Sequence, residues 1–432
     1  MSQRQWKRLE AIERVIAGKL TGTEAATVLG LSERQVRRLR RAVEKRGAVA
    51  LVHGNRGRAA PNRISGTIRE RIVVLRRTTY DGFNDQHFTE KVQQVEGLTV
   101  SRASVRRVLR EAGIGSPRKR RAPKHRRRRE RKPQAGLMVL WDGSQHDWLE
   151  GRGPRLCLMG AIDDATSELL PGAHFVEQEC AAGYLRTLQR LAAARGLPWS
   201  VYMDRHGSLA RNDDHWTLAE ELRGRQDPTQ VGRALELLGI EAIYALSPQA
   251  KGRVERLWGT LQDRLVAELR LAGADTAAQA NAVLEQYRPA HNRRFAVAAK
   301  EAIRAWRTIP RGVDLARVCS FAYEATVLND NTVRLAGVVI DIPPGPRQRS
   351  YRGARVELRQ LLDGRWRVYR GDQLLVEVAG TLPSEVRPHR RKKRPPSAAA
   401  AAKPPGARRA PSVSAANLIA SVSSQTRGGQ NC

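Results

Sequence analysis

The sequence has 432 residues, enough for several domains, and its 77 Lys and Arg against 43 Asp and Glu give a formal net charge of +34. That excess predicts a polyanionic partner, with nucleic acid as the first candidate. A membrane surface is the competing partner, but no stretch approaches the roughly 20 apolar residues of a membrane span, and the N-terminus lacks a secretory pattern. The four isolated cysteines argue against a zinc knuckle or a disulfide framework.

The positive charge is concentrated at the two ends of the chain. Residues 1–135 carry 35 Lys and Arg against 12 Asp and Glu, and residues 381–432 carry 10 against one. Residues 136–310 carry 21 against 22. A uniformly basic chain would suit a simple nucleic-acid coat. A nearly neutral middle between basic flanks indicates instead that carboxylates have a functional role in the middle segment.

Residues 1–58 have the pattern of a helix-turn-helix DNA-binding domain. Thr21–Glu24 and Ser32–Gln35 have capping-box spacing, and Gly30 between them can adopt the left-handed turn conformation. The predicted core consists of Ala25, Leu29, Leu31, Val36 and Leu39. The residues predicted to face DNA are Arg34, Arg37, Arg38 and Arg41. The alternative is a helical hairpin with a solvated arginine face.

Residues 61–114 predict a second, less regular helix-turn-helix domain. Helices are expected over about 64–77 and 86–95, and Ser101 would cap a third helix. Its predicted DNA-facing residues are Arg102, Arg106, Arg107 and Arg110. Residues 115–135 predict a basic linker that does not fold alone and could follow phosphates or enter a minor groove. The run expected to do so is Arg126, Arg127, Arg128 and Arg129.

Residues 136–310 change to short apolar strands. Two helices are expected, over about 181–195 and about 248–271. Strands are expected at about 137–141, 156–162, 169–176, 199–203 and 241–246. Three strands, a helix, two strands and a helix is the order of the ribonuclease-H-like α/β fold.

In that order the first and fourth strands are neighbours, so Asp142 and Asp204 would meet at their ends, and Glu255 on the last helix would project towards them. Three carboxylates so placed could hold two divalent ions about 4 Å apart, which activate an attacking oxygen and stabilise a leaving 3′-oxygen. Magnesium or manganese suits such all-oxygen ligands. Basic residues of the same helix that could contact DNA phosphates, or simply be solvated, are Lys251, Arg253 and Arg256.

Other polar residues of this segment have simpler explanations. A single Asp after a strand more often belongs to a turn, and turn chemistry accounts for Asp163 and Asp164. Asp147 follows the first strand and is not expected to bind metal. His146 and His206 could position water or phosphate, although a solvated histidine is the more common case.

Four stretches together resemble the integrase core of bacterial insertion-sequence transposases, most closely the ISNCY-like group: Asp142–Pro154, Ile162–Thr166, Tyr202–His206 and Gln249–Arg256. The resemblance covers about residues 10–310. It implies an Asp–Asp–Glu triad at Asp142, Asp204 and Glu255, and a cytoplasmic, nucleoid-associated protein that acts as a homo-oligomer on double-stranded DNA. Glu255 lies 51 positions after Asp204, more than in the compact retroviral-type pattern, so residues about 208–235 predict an insertion.

Residues 311–380 alternate in hydrophobicity and predict a small, SH3-like β-barrel. Residues 381–432, rich in Pro, Ala, Ser and Arg, predict a disordered basic tail. The expected architecture is therefore multidomain: an all-α helix-turn-helix region, a ribonuclease-H-like catalytic core, a β-barrel and a tail. The expected function is a DNA transposase that binds terminal inverted repeats and performs metal-dependent cleavage and strand transfer. The alternatives are a non-catalytic DNA-binding regulator and a ribonuclease-H-like nuclease without joining activity.

Overall fold

The N-terminal residues form a compact three-helix unit. The computed structural model describes residues 2–52, 55, 63–117, 129–211, 216–245, 252–335, 337–381 and 384–386. The first three helices are α1 (Gln3–Ile16), α2 (Gly22–Leu29) and α3 (Glu33–Arg46), followed by a 3-10 turn at Gly47–Leu51. The capping box at Thr21–Glu24 is confirmed, and Gly30 adopts φ 60° and ψ 42° as predicted for the turn. Helix α1, which the sequence patterns did not single out, adds Ile12 to a core that contains Ala25 and Val36.

A second helical unit follows, as predicted. Its helices are α4 (Gly66–Arg77), α5 (Asp85–Gln94) and α6 (Arg102–Glu111). Ser101 caps α6 by accepting a hydrogen bond from the backbone N–H of Ser104. Fully buried apolar side chains join the three helices: Ile72, Phe83, Phe88, Val92, Val105 and Leu109.

A five-stranded mixed sheet forms the middle of the chain. The strand order is β3-β2-β1-β4-β5, in which β1 pairs antiparallel with β2 and parallel with β4. This order confirms the predicted adjacency of the first and fourth strands. The strands are β1 (Met138–His146), β2 (Leu156–Asp163), β3 (His174–Val176), β4 (Ser200–Met203) and β5 (Glu241–Tyr244). The helices are α7 (Ala181–Arg195), α8 (Leu218–Arg223), α9 (Gln230–Leu237), α10 (Gly252–Leu271) and α11 (Ala277–Phe295).

Helices cover both faces of this sheet. Along β1, Val139 and Trp141 face the core that includes α7 and α9, whereas Met138 and Leu140 face the core that includes α10 and α11. Burial on both faces explains why the strands read as continuous apolar runs. Helices α8 and α9 lie in the stretch predicted as an insertion, between β4 and β5.

Two strand predictions were wrong. The first strand does not end at Asp142, because antiparallel pairing with β2 continues to the pair His146 and Leu156. The third strand begins at His174, well after residue 169. Pro171 has no backbone N–H to donate, and Gly172 turns the chain with φ +93°, so the apolar run before them is not a regular strand.

The second helical unit packs on the sheet domain through α5 and α10. Ala267 of α10 lies within the apolar core of α4–α6. Arg264 of α10 donates two hydrogen bonds, of 2.8 and 3.2 Å, to the carboxylate of Glu90 on α5. Glu268 of α10 accepts hydrogen bonds at 2.7 Å from His87 and Lys91 of α5. The second helical unit and the sheet domain are therefore joined by a buried, charged interface.

The C-terminal residues form two small antiparallel sheets, one ordered β11-β10-β9-β6 and one made of β7 and β8. Their elements are α12 (Leu315–Val318), β6 (Phe321–Thr326), β7 (Thr332–Leu335), β8 (Val338–Asp341), β9 (Arg355–Gln360), β10 (Trp366–Arg370) and β11 (Gln373–Val378). Closure into an SH3-like barrel stays a prediction. Apart from residues 381 and 384–386, the predicted tail lies outside the described residues. In the described part of the chain, no helix is long and apolar enough to cross a membrane.

Candidate active site

Asp142 lies in β1, and Asp204 directly follows β4, the strand that pairs in parallel with β1. The parallel register pairs Met138 with Ser200 and Leu140 with Tyr202. Continued by two residues, the same register places Asp142 opposite Asp204, on strands about 4.8 Å apart. Because side chains alternate along a strand, both aspartates fall on the sheet face that α10 covers.

Helix α10 holds the side chain of Asp142 from above. The indole Nε1 of Trp258 donates a hydrogen bond of 2.9 Å to Asp142 Oδ2. One turn further, the side-chain amide of Gln262 donates to Ser144 Oγ at 3.1 Å. These contacts align α10 with β1 and fix the orientation of a half-buried carboxylate.

Glu255 lies in the first turn of α10, three residues before Trp258, and its side chain is exposed. Residues three apart lie on the same side of a helix, so Glu255 is on the side of α10 that meets β1. Among the described residues, no group of three or more Asp, Glu, His or Cys side chains is already arranged to hold a metal ion. The donor chemistry fits magnesium or manganese, since the carboxylates of Asp142 and Asp204 supply adjacent hard oxygen ligands.

Two arginines predicted to contact DNA, Arg129 and Arg253, meet at the turn after β2. The buried carboxylate of Asp164 accepts hydrogen bonds from Arg129, at 2.5 Å, and from Arg253 in the first turn of α10. Arg131 donates to the backbone carbonyl of Asp164 at 3.0 Å. Arg256 is exposed. This cluster ties the end of the basic linker to the start of the helix that carries Glu255.

The turn interpretation is confirmed for Asp163, whereas the carboxylate of Asp164 binds arginine side chains. Asp163 accepts hydrogen bonds from the backbone N–H groups of Thr166, at 2.9 Å, and Gly136, at 2.7 Å, and its burial raises the pKa of its carboxyl. Asp147 accepts from the backbone N–H of Gly151 at 3.1 Å. Both carboxylates therefore hold turns.

The predicted DNA-facing arginines of the helical units are mostly exposed. On α3 these are Arg34, Arg37, Arg38 and Arg41, and on α6 they are Arg102, Arg106 and Arg107. Arg110 differs, because its guanidinium donates to Asp85 Oδ2 at 2.6 Å and is half-buried. Four other predicted contacts lie outside the described residues: Arg126, Arg127, Arg128 and Lys251.

Sequence reasoning missed Trp258 and Glu179. The indole of Trp258 looks like an ordinary apolar residue of an amphipathic helix, and only its contact with Asp142 reveals a polar role. Glu179 precedes α7 and lies against Gly143, next to Asp142. The two histidines predicted to position water or phosphate lie near the aspartates in sequence. The backbone N–H of His206 donates to Asp204 Oδ1 at 3.1 Å, and its ring lies near Glu179. His146 packs edge-on against Trp148, with ring centroids 5.4 Å apart.

Comparison with known proteins places the chain in a family. Residues 7–59 match the family model described as a helix-turn-helix domain. The chain is 40% identical over 297 residues to a protein of Sinorhizobium fredii named transposase y4bF, covering 69% of this chain and 63% of that protein. It is 32% identical over 323 residues to the transposase for insertion sequence IS1202 of Streptococcus pneumoniae, covering 67% of this chain and 68% of that protein.

The identity and shared length with the IS1202 protein show that the chain belongs to the family of insertion-sequence transposases. It spans 63% of the length of its Sinorhizobium relative. Among solved structures, it is similar to a chain of the simian T-cell lymphotropic virus intasome, with 13% identity, a TM-score of 0.29, and coverage of 74% of this chain and 100% of that chain.

Proposed function

We propose that this chain is a DNA transposase that binds the terminal inverted repeats of an insertion sequence and cuts and joins DNA. Membership of the insertion-sequence transposases supports the reaction class. The observation that supports the proposal is the parallel register between β1 and β4, which, continued by two residues, would set Asp204 beside Asp142, the residue that Trp258 of α10 contacts. A regulator that only binds DNA would have no need for paired carboxylates at this position.

In this proposal the catalytic and metal-binding residues are Asp142, Asp204 and Glu255. Two Mg²⁺ or Mn²⁺ ions, when bound, would activate the attacking oxygen and stabilise the leaving 3′-oxygen of a phosphodiester. Trp258 holds one oxygen of Asp142, so the carboxylate keeps one orientation towards its ligand. Glu255 approaches from the first turn of α10, whose start Arg253 fastens to Asp164.

In this proposal the basic residues make two kinds of DNA contact, with base edges and with phosphates. Arginines of α3 and α6 would read or track the element ends, and Arg129, Arg253 and Arg256 would lie near the strand at the active site. Arg129 and Arg253 also hold Asp164, so their DNA role is combined with a structural one. The partners are double-stranded element ends and target DNA, and the chain would act as a homo-oligomer on the nucleoid in the bacterial cytoplasm.

The direct test replaces each acid by its amide in the full chain: Asp142→Asn, Asp204→Asn and Glu255→Gln. The substrate is a duplex that carries the DNA flanking the gene in its native element. Each variant should lose cleavage and joining but still shift the duplex in a binding assay, because the amide keeps the shape and removes the charge that holds the metal. Asp147→Asn is the matched control, since Asp147 holds a turn near the end of the same strand.

Full activity in any one variant would remove that residue from the triad. Specific binding by the wild type without cleavage in Mg²⁺ or Mn²⁺ would favour the DNA-binding regulator. Cleavage without any joined product would favour a nuclease. The first result corrects the triad, and the other two distinguish a transposase from a regulator and from a nuclease.

A further inference from the structure

We infer that Glu179 is a positioning residue for the two aspartates, and that it fixes the loop after β4 against β1. This role rests on the proposed function, because it concerns the orientation of Asp142 and Asp204. Glu179 is proposed to orient these residues and not to bind the reacting atoms. It acts through the three chain segments that meet around it.

The first segment is α7, which supplies a rigid anchor. The hydroxyl of Tyr184 donates a hydrogen bond of 2.5 Å to Glu179 Oε1. The Tyr184 ring is almost fully buried and stacks on Trp141, with centroids 5.7 Å apart and planes at 25°. Trp141 directly precedes Asp142, so the anchor of Glu179 is itself fixed to the strand that carries the first aspartate.

The second segment is β1 on the other side of Asp142. A Cβ atom added at Gly143 would lie 2.7 Å from Glu179 Oε2 and 3.0 Å from Cys157 Sγ. The carboxylate of Glu179 therefore occupies the space that a side chain at position 143 would need. Gly143 lets the carboxylate pack directly against the backbone of the strand.

The third segment is the loop that follows β4. The ring of His206 lies 3.6 Å from Glu179 Oε1, measured from Nδ1. The backbone N–H of the same residue donates to Asp204 Oδ1 at 3.1 Å. Glu179 therefore lies beside the ring of the residue whose backbone orients the second aspartate, and that ring is itself oriented by the backbone N–H of Ser208, which donates to Nδ1 at 3.4 Å.

The electrostatics agree with this convergence. Burial and then the charge of Glu179 raise the pKa of the Tyr184 hydroxyl, with further contributions from Asp142 and Asp204. Burial, Glu179 and Asp142 raise the pKa of the Cys157 thiol to about 12. All three carboxylates therefore act on Tyr184, and two of them, Glu179 and Asp142, also act on Cys157.

The test measures Mn²⁺ affinity of the full-length protein by calorimetry, independently of activity, and the thermal midpoint without metal. Glu179→Gln removes the charge, Tyr184→Phe removes the anchor and keeps the charge, and Gly143→Ala displaces the carboxylate. Each should weaken Mn²⁺ binding roughly 10–100-fold, as loss of a group that orients a metal ligand does. Glu177→Gln, at an exposed position two residues away, is the matched control and should leave the affinity unchanged.

A double-mutant cycle separates positioning from general damage to the fold. In a Glu179→Ala background the displaced carboxylate is gone and the close contact with Cys157 Sγ remains, so Gly143→Ala should weaken Mn²⁺ binding clearly less than it does in the wild-type background. Additive losses from the two substitutions, or a wild-type affinity in both Glu179→Gln and Tyr184→Phe, would overturn the role of Glu179 and leave the proposed metal site standing. Absence of Mn²⁺ binding by the wild type would overturn the proposed metal site, and this role with it.

Discussion

The ion pair between Arg264 of α10 and Glu90 of α5 lies where the second helical unit packs on the sheet domain, and breaking it measures how much this interface stabilises the protein. Both side chains are nearly buried, with 8% and 11% of their surface exposed. Arg264→Met keeps much of the aliphatic volume and leaves the Glu90 carboxylate behind. Removing one partner of a buried pair costs about 3–5 kcal/mol, because the remaining charge is uncompensated.

Two contacts reduce that cost here. Arg294 lies 2.5 Å from Glu90 Oε1, and the side-chain amide of Gln86 donates to the same oxygen at 2.8 Å. We therefore expect Arg264→Met to cost about 2–3 kcal/mol of local stability. Arg14→Met is the control: it breaks a pair with Glu10 in which the side chains are 61% and 65% exposed, and should cost about 0–1 kcal/mol.

Hydrogen exchange on the full-length protein is the appropriate assay, because it reports the opening free energy of each helix separately. In Arg264→Met, protection should fall in α5 and α10 and stay unchanged in α1. Adding Glu90→Leu to that variant should restore part of the loss, since the buried carboxylate is then gone and Arg294, whose side chain is 38% exposed, can be solvated. A cost for Arg264→Met no larger than that for Arg14→Met would refute the buried interface.

Three further outcomes follow from individual contacts. Trp258→Phe removes the N–H that bonds Asp142, so cleavage should slow roughly 10–100-fold at unchanged DNA binding; an unchanged cleavage rate would show that the indole does not orient the carboxylate. Replacing Arg37 or Arg38 by Ala should weaken binding to the element ends by about 1–3 kcal/mol, and gel shifts with an unrelated duplex should show a smaller loss; equal losses would assign the residue to phosphates. Burial raises the pKa of the Glu268 carboxyl, but hydrogen bonds from His87 and Lys91 of α5 outweigh burial and lower it below the ordinary 4.5. The stabilisation from Glu268 is therefore fully present above pH 4.5 and is lost as the pH falls through its pKa in the folded protein. Urea midpoints measured against pH should fall more steeply on the acid side in the wild type than in Glu268→Gln, and parallel curves would contradict this.

Local signals in the sequence were sufficient for most of the helices and strands. The capping box at Thr21–Glu24 and the cap at Ser101 depend on hydrogen bonds between residues three apart, and such bonds can be read from spacing. Apolar runs located the three inner strands of the central sheet, β2, β1 and β4, because burial on both faces leaves a continuous pattern. The order of those elements then predicted which strands are neighbours, and hence that Asp142 and Asp204 would meet.

The tertiary structure decided what depends on partners distant in sequence. β1 continues past Asp142 because β2 pairs with it, and nothing within the strand marks its end. Glu90 and Arg264 are 174 positions apart, so no local pattern indicates that they would form a buried pair between two units. Glu179 looks like any acid before a helix until folding packs it beside Gly143. Periodicity and capping record short-range energetics, whereas the register, the docking of α5 on α10 and the residues around the aspartates arise from contacts that exist only once the chain has folded.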